Sequence, residues 1–184
     1  MYRLFFRVDP RPSSISDLVF ISGLPDPVES VLRAAKIAHE AGVYVILNPA
    51  PACELPTELF KYIDLMTPNR TEAQTLSGCP VTDDASLAVA VDKLRGYGVK
   101  DFVVTLGSKG SLVFKGGKTE MIPSLKVKAV DATAAGDTFC GALCVGLSEG
   151  LDLSEAAKFA TKASAITVQR MGAQASIPTR DEIK

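Results

Sequence analysis

The run Asp131–Phe139, DATAAGDTF, holds the residue types best suited to chemistry. Ala134, Ala135 and Gly136 precede a helix that the pattern opens at Asp137 or Thr138. Small side chains let a ligand approach the backbone, and the first N–H groups of a helix have no partner within it. An anion placed there gains hydrogen bonds and the positive end of the helix dipole. Asp137 would repel that anion, unless its carboxylate acts on a hydroxyl that attacks a phosphate. A base beside an anion hole is the arrangement phosphoryl transfer needs. The alternative is that Asp137 simply caps the helix, and spacing alone leaves the two level.

Two more segments could contribute. Thr105–Gly110, TLGSKG, follows an apolar run, and Gly107 and Gly110 permit close backbone approach; alone it also reads as a plain strand–turn–strand connection. Asn69 and Glu72, three apart in NRTE, would share one side of a starting helix as oxygen ligands suited to Mg²⁺ through water. They equally fit a capping box in which Thr67 or Asn69 is the cap.

These segments sit where an alternating chain would put them. Val28–Ala41 has helical apolar spacing, and Val43–Leu47 and Phe102–Leu106 are apolar runs expected of strands buried on both faces. Leu18–Ser22 and Tyr62–Met66 read as shorter strands, Glu72–Ser77 as a helix, and Asp83 or Asp84 as the cap of another reaching Arg95. Ser111–Phe114 and Thr119–Ile122 flank Gly116–Gly117 as a hairpin, and two helices, about 136–148 and 154–170, close the chain. Strands alternating with helices predict a layered α/β domain, in which ligands collect beyond the C-terminal ends of the strands. NPAPA (48–52), TPNRTE, TLGSKG and Asp131–Asp137 all fall there.

Composition narrows the function classes. The 184 residues are 47% hydrophobic and 22% charged, as in a globular domain. Twenty Lys and Arg against 21 Asp and Glu leave a net charge of −1, without the basic excess of a nucleic-acid binder. Cys53, Cys79, Cys140 and Cys144 form no CxxC pair and His39 stands alone, which argues against a zinc site. Cys140 and Cys144 share a helix face as buried apolar residues. There is no apolar h-region at the N-terminus and no run near the ~20 residues a membrane helix needs, so a cytoplasmic location with reduced thiols is expected.

NPAPA, TPNRTEAQTLSG, VVTLGSKG, DATAAGDTFCGAL and RMGAQASIP occur in that order. Over Val28–Lys184 the chain resembles the PfkB carbohydrate-kinase family, with NPAPA and GAQASIP most similar to its ribokinase branch. The resemblance implies a ribokinase-like three-layer αβα sandwich with a mostly parallel sheet. Residues 23–184 would be a partial kinase domain and 1–22 an irregular segment without resemblance. The implied activity is transfer of the ATP γ-phosphate to the 5-hydroxyl of D-ribose, with Mg²⁺ and K⁺ as activator.

Carried over by position, Asp137 matches the catalytic base and meets the sugar, while Ala134, Ala135 and Gly136 match the anion hole. Asn69 and Glu72 match the motif handling phosphates and Mg²⁺. Thr105, Leu106, Gly107, Ser108, Lys109 and Gly110 match the nucleotide-binding loop, joined by Gly136, Asp137 and Thr161. Asp131, Thr133, Thr167, Arg170, Gly172 and Ser176 match the K⁺ loop, several through carbonyls.

Departures are Ala132 where Thr is frequent, Ala134 where many members have Gly, Thr161 where Asn or His occurs, and Pro25 where a sugar-binding Glu is usual. The family's first βα units, its GG sugar segment and its β lid, through which many members dimerise, are not recognisable. A homodimer is open on this reading, without the usual lid interface. The alternative expectation is a truncated, catalytically impaired nucleotide-binding relative or an incomplete fragment.

Overall fold

Side-chain alternation along the apolar strands decides the architecture. In the computed structural model, which describes residues 5–7, 17–22 and 28–183, the strands are β1 (Phe5–Arg7), β2 (Asp17–Ile21), β3 (Tyr44–Leu47), β4 (Leu65–Met66), β5 (Asp101–Thr105), β6 (Gly110–Lys115) and β7 (Lys118–Pro123). Val45, Leu47, Phe102, Val104, Leu112 and Phe114 enter one buried cluster, while Ile46, Val103 and Val113 enter another on the opposite face. Successive residues of a strand point to opposite faces, so the same strands supply both cores.

Helices cover the two faces. α1 (Val28–Glu40), α2 (Thr57–Phe60), α3 (Arg70–Ser77) and α4 (Asp84–Gly96) contribute Val31, Ala35, Leu59, Phe60, Ala73, Leu87, Val91 and Leu94 to the first cluster. α5 (Ala135–Ser148) and α6 (Leu153–Thr167) contribute Phe139, Cys140, Leu143, Cys144, Leu147, Ala156, Ala157 and Ala160 to the second. The result is the expected three-layer α/β sandwich.

Sheet order follows chain order, β1 to β7, with β2, β3, β4 and β5 mutually parallel. The parallel core is flanked by antiparallel pairs: β1 on β2 at one edge, and the β5–β6–β7 meander at the other. In its described parts the segment before residue 23 is not irregular, which corrects that expectation. β2 is a five-residue strand in register with β3, with Leu18 and Val19 buried, and β1 hydrogen-bonds to it. The remaining residues of 1–22, and Pro25, lie outside the described residues.

Local chemistry sets the ends of the helices around the site. Asn69 caps α3 by accepting from the Glu72 N–H at 2.9 Å, and the Glu72 carboxylate accepts from the Asn69 N–H at 2.8 Å, a reciprocal capping box. Asp83 and Ser86 form the same device at α4. Gly146 brings α5 against α6: a Cβ there would lie 3.1 Å from the Ala156 Cβ.

Candidate active site

The C-terminal ends of the parallel strands and the start of α5 meet at one end of the sheet. α5 opens at Ala135, two residues earlier than the sequence pattern suggests. Ala134 takes the left-handed conformation, φ 60° and ψ 8°, and makes the turn that lets the Thr138 N–H reach its carbonyl at 2.9 Å. Asp137 therefore lies inside the first turn, not at the cap, and no side chain caps this helix. That removes the capping explanation for Asp137, which is exposed.

The Ala135 N–H bonds to the Ala132 carbonyl at 3.2 Å, whereas those of Gly136 and Asp137 have no backbone acceptor among the described residues. A Cβ placed on Gly136 would meet nothing within 4 Å, so the face over this turn is open. Two outward N–H groups, an open face and a helix N-terminus suit a developing negative charge. Of the three expected anion-hole residues, Gly136 presents such an N–H, Ala134 shapes the turn and the Ala135 N–H is occupied internally.

Asn69 and Glu72 stand at the neighbouring strand end. The Thr105 N–H bonds to the Pro68 carbonyl at 3.0 Å and Asn69 bridges to Thr105, so their turn is tied to the end of β5. The capping-box alternative is realised here, and it engages one Glu72 oxygen. Cys140, one turn beyond Asp137 in α5, contacts Asn48 and Thr67, the residues that follow β3 and β4.

The Thr105–Gly110 segment joins the antiparallel strands β5 and β6 through a 3-10 turn at Gly107–Lys109. Its glycines differ. Gly107, φ 59°, has open space where a Cβ would stand, whereas a Cβ on Gly110 would lie 2.0 Å from the Ile122 carbonyl oxygen. Gly110 thus admits the backbone of the molecule's own hairpin, and Gly107, Ser108 and Lys109 are the exposed part of the loop. Thr161 is buried in α6, its hydroxyl donated to the Ala157 carbonyl at 2.8 Å.

A third group forms where the loop before α5 meets the chain after α6. The Asp131 carboxylate accepts from the N–H groups of Thr133 and Gly172, each at 2.9 Å, and the N–H groups of Val130 and Asp131 donate to the Val168 carbonyl. Bonds from the Thr133 hydroxyl and from the Thr133 and Gly172 N–H groups hold the Asp131 carboxyl below the usual carboxylate range. Asp131, Thr133 and Gly172 are therefore brought together. Arg170 pairs through its side chain with Glu182, and the Thr167 carbonyl already accepts from the Arg170 N–H at 3.0 Å. The Thr167 hydroxyl lies 3.1 Å from that of Thr138, and the Ser176 hydroxyl donates to the Ala173 carbonyl. Carbonyls of Thr133, Arg170 and Gly172 lie in turns where no backbone N–H of the described residues reaches them. Those carbonyls and the Asp131 carboxylate are oxygen donors, the ligand type that suits an alkali cation.

Three residues absent from the sequence-based site join the elements that carry it. The Asn48 Nδ2 donates to the Thr67 carbonyl and to the Cys140 sulfur, both at 3.2 Å, and the Thr67 hydroxyl lies 3.6 Å from that sulfur. Asn48 and Thr67 each directly follow a buried strand, a signal visible in the sequence, whereas the Cys140 contact joins residues 92 apart and has no local signature.

The model of the pfkB family carbohydrate kinases matches residues 14–180. The chain belongs to that family. The PfkB match begins upstream of residue 23 and includes β2. A ribokinase of Haemophilus influenzae is 45% identical over 159 residues, covering 86% of this chain and 52% of that protein. The crystal structure of ribokinase from Thermotoga maritima superposes with a TM-score of 0.82 at 42% identity, over 93% of this chain and 56% of the other. The ribokinase of Arabidopsis thaliana complexed with ribose and ATP gives 0.82 at 38% identity, over 85% and 51%. The chain spans about half the length of the PfkB relatives it matches. No helix among the described residues is long and apolar enough to cross a membrane.

Proposed function

We propose that this chain carries the phosphoryl-transfer site of an ATP-dependent pentose kinase acting on the 5-hydroxyl of D-ribose. The observation that carries the reading is Asp137 in the open first turn of α5, beside the outward N–H groups of Gly136 and Asp137 itself. Similarity to the plant ribokinase complexed with ribose and ATP supports the substrate pair.

In this reading the Asp137 carboxylate accepts the proton of the sugar hydroxyl as its oxygen bonds to the γ-phosphorus and the bond to the ADP oxygen breaks. The outward N–H groups of the first turn stabilise charge on the transferring phosphoryl oxygens. Gly107, Ser108 and Lys109 line the nucleotide's approach. Among the described residues no three His, Cys, Asp or Glu side chains gather as a metal cage. Mg²⁺ would therefore take most ligands from phosphates and water, with the Glu72 oxygen left outside the capping box beside them. K⁺ would be held by the Asp131, Thr133, Arg170 and Gly172 oxygens, where it supplies positive charge near the loop leading to Ala134.

Coverage of about half of each relative supports a second reading, in which this chain binds nucleotide while the sugar is held by other residues. ADP release with ATP, Mg²⁺ and K⁺, with and without ribose, separates the two. The kinase reading expects ribose-dependent turnover that Asp137→Asn lowers by about 10²-fold or more, with ATP still bound. Ribose-independent rates in both proteins would overturn it, and nucleotide binding without turnover would leave the second reading.

A further inference from the structure

The Asn48–Thr67–Cys140 cluster belongs to none of the roles assigned above, yet it joins the elements that carry them. Asn48 follows β3, Thr67 follows β4, and Cys140 is one turn into α5 from Asp137. The Asn48 amide bonds the Thr67 carbonyl and the Cys140 sulfur at 3.2 Å each, and the Ser22 hydroxyl, after β2, lies 3.4 Å from its Oδ1. The Thr67 hydroxyl stands 3.5 Å from the Leu47 carbonyl. Three adjacent strand ends are thereby stitched to one helix by side chains.

We infer that Asn48 is a positioning residue for the transfer reaction, holding the first turn of α5, and with it the Asp137 carboxylate, against the Thr67–Asn69 turn through its bond to the Cys140 sulfur. The chemistry suits that role. Thr67 and Cys140 are buried, so each polar atom here needs a partner, and losing one leaves an unsatisfied group. Burial pushes the Cys140 thiol up to about 11, so it is protonated at neutral pH. Its sulfur can then accept from Asn48 while its S–H faces the Thr67 oxygen. Asn69, two residues beyond Thr67, caps the helix that carries Glu72, so the same clamp sets the separation of Asp137 from Glu72. An error of about 1 Å in such a separation can lower a rate by 10².

The kinetic arm of the test rests on the kinase reading, and the exchange arm does not. Asn48→Ala, Cys140→Val, which fills the site without an acceptor, and Cys140→Ser, which restores one, are compared with the unaltered chain. Ribose-dependent kcat is expected to fall about ten-fold in Asn48→Ala and Cys140→Val with KM for ATP within about three-fold, and to recover in Cys140→Ser. Amide hydrogen exchange of Thr138, Phe139 and Cys140 should quicken about ten-fold in the first two variants, while Val103 and Val104 of β5 keep their protection. Cys140→Val behaving like the unaltered chain, or exchange rising equally in α5 and β5, overturns the inference. If the unaltered chain lacks ribose-dependent turnover, the kinase reading fails and the exchange pattern alone decides the clamp.

Discussion

At the residue scale, the site depends on a backbone conformation that alanine does not favour. Ala134 is the one non-glycine residue with positive φ among the described residues, and it starts α5 in place of a side-chain cap. The left-handed region costs an L-residue about 1–2 kcal/mol, and glycine escapes that cost while losing about 0.5–1 kcal/mol to chain entropy. Ala134→Gly is therefore expected to raise the unfolding free energy by up to about 1 kcal/mol, read from urea midpoints at constant m-value. A lowered midpoint would refute the left-handed turn. The sequence displays the small residues and the acid behind them, because residue type alone marks a place for a phosphate and a base. It does not display where α5 begins. That depends on Ala134 turning left-handed, which an alanine does not announce, so spacing alone leaves the cap and the base level for Asp137, which lies inside the helix.

Elements close the site from different distances along the chain, and that governs which were legible. The reciprocal Asn69–Glu72 box joins residues three apart and can be read from NRTE directly. Buried strands declare themselves as continuous apolar runs, and the β6–β7 hairpin by its paired glycines. The three-residue β1 and four-residue α2 are too short to show a period. Gly107 and Gly110 look alike in TLGSKG, yet only Gly110 faces another segment, the β7 backbone at the end of the hairpin. A contrast between two alanine variants follows. Gly110→Ala must displace the Ile122 carbonyl and the following peptide, and a loss of about 3 kcal/mol or more is expected in denaturant melts. Gly107→Ala meets only the positive-φ cost of about 1–2 kcal/mol. Equal losses would show that the hairpin does not approach Gly110 in solution.

Across the whole molecule, the alternation of helices and strands was enough to anticipate three layers, because each buried strand needs apolar cover on both faces. What alternation cannot supply is how the chain beyond α6 is fastened to the rest. Polar and ionic contacts contribute to that fastening: Asp131 binds the Gly172 N–H and Arg180 pairs with Glu149 while lying 4.4 Å above the Phe159 ring, and within the segment Arg170 pairs with Glu182. The Arg170 guanidinium and the Thr179 N–H hold the Glu182 carboxyl down at about 2, and Asp131 is depressed as well. Carboxyls with lowered folded values are protonated first in the unfolded chain as pH falls, so their stabilisation is complete above the ordinary range of about 4 and is lost as pH drops through the depressed values. Melting temperature is thus expected to decline from about pH 5 towards pH 2, and Glu182→Gln should flatten that decline while lying below the unaltered chain near neutrality. Because both partners are exposed, the difference should be small and should shrink further in 1 M salt, where the screening length is about 3 Å. Superimposable pH profiles at low salt would mean that Arg170 and Glu182 do not pair in solution, while the Asp131–Gly172 bond and the bonds to the Val168 carbonyl still fasten this segment to the loop before α5.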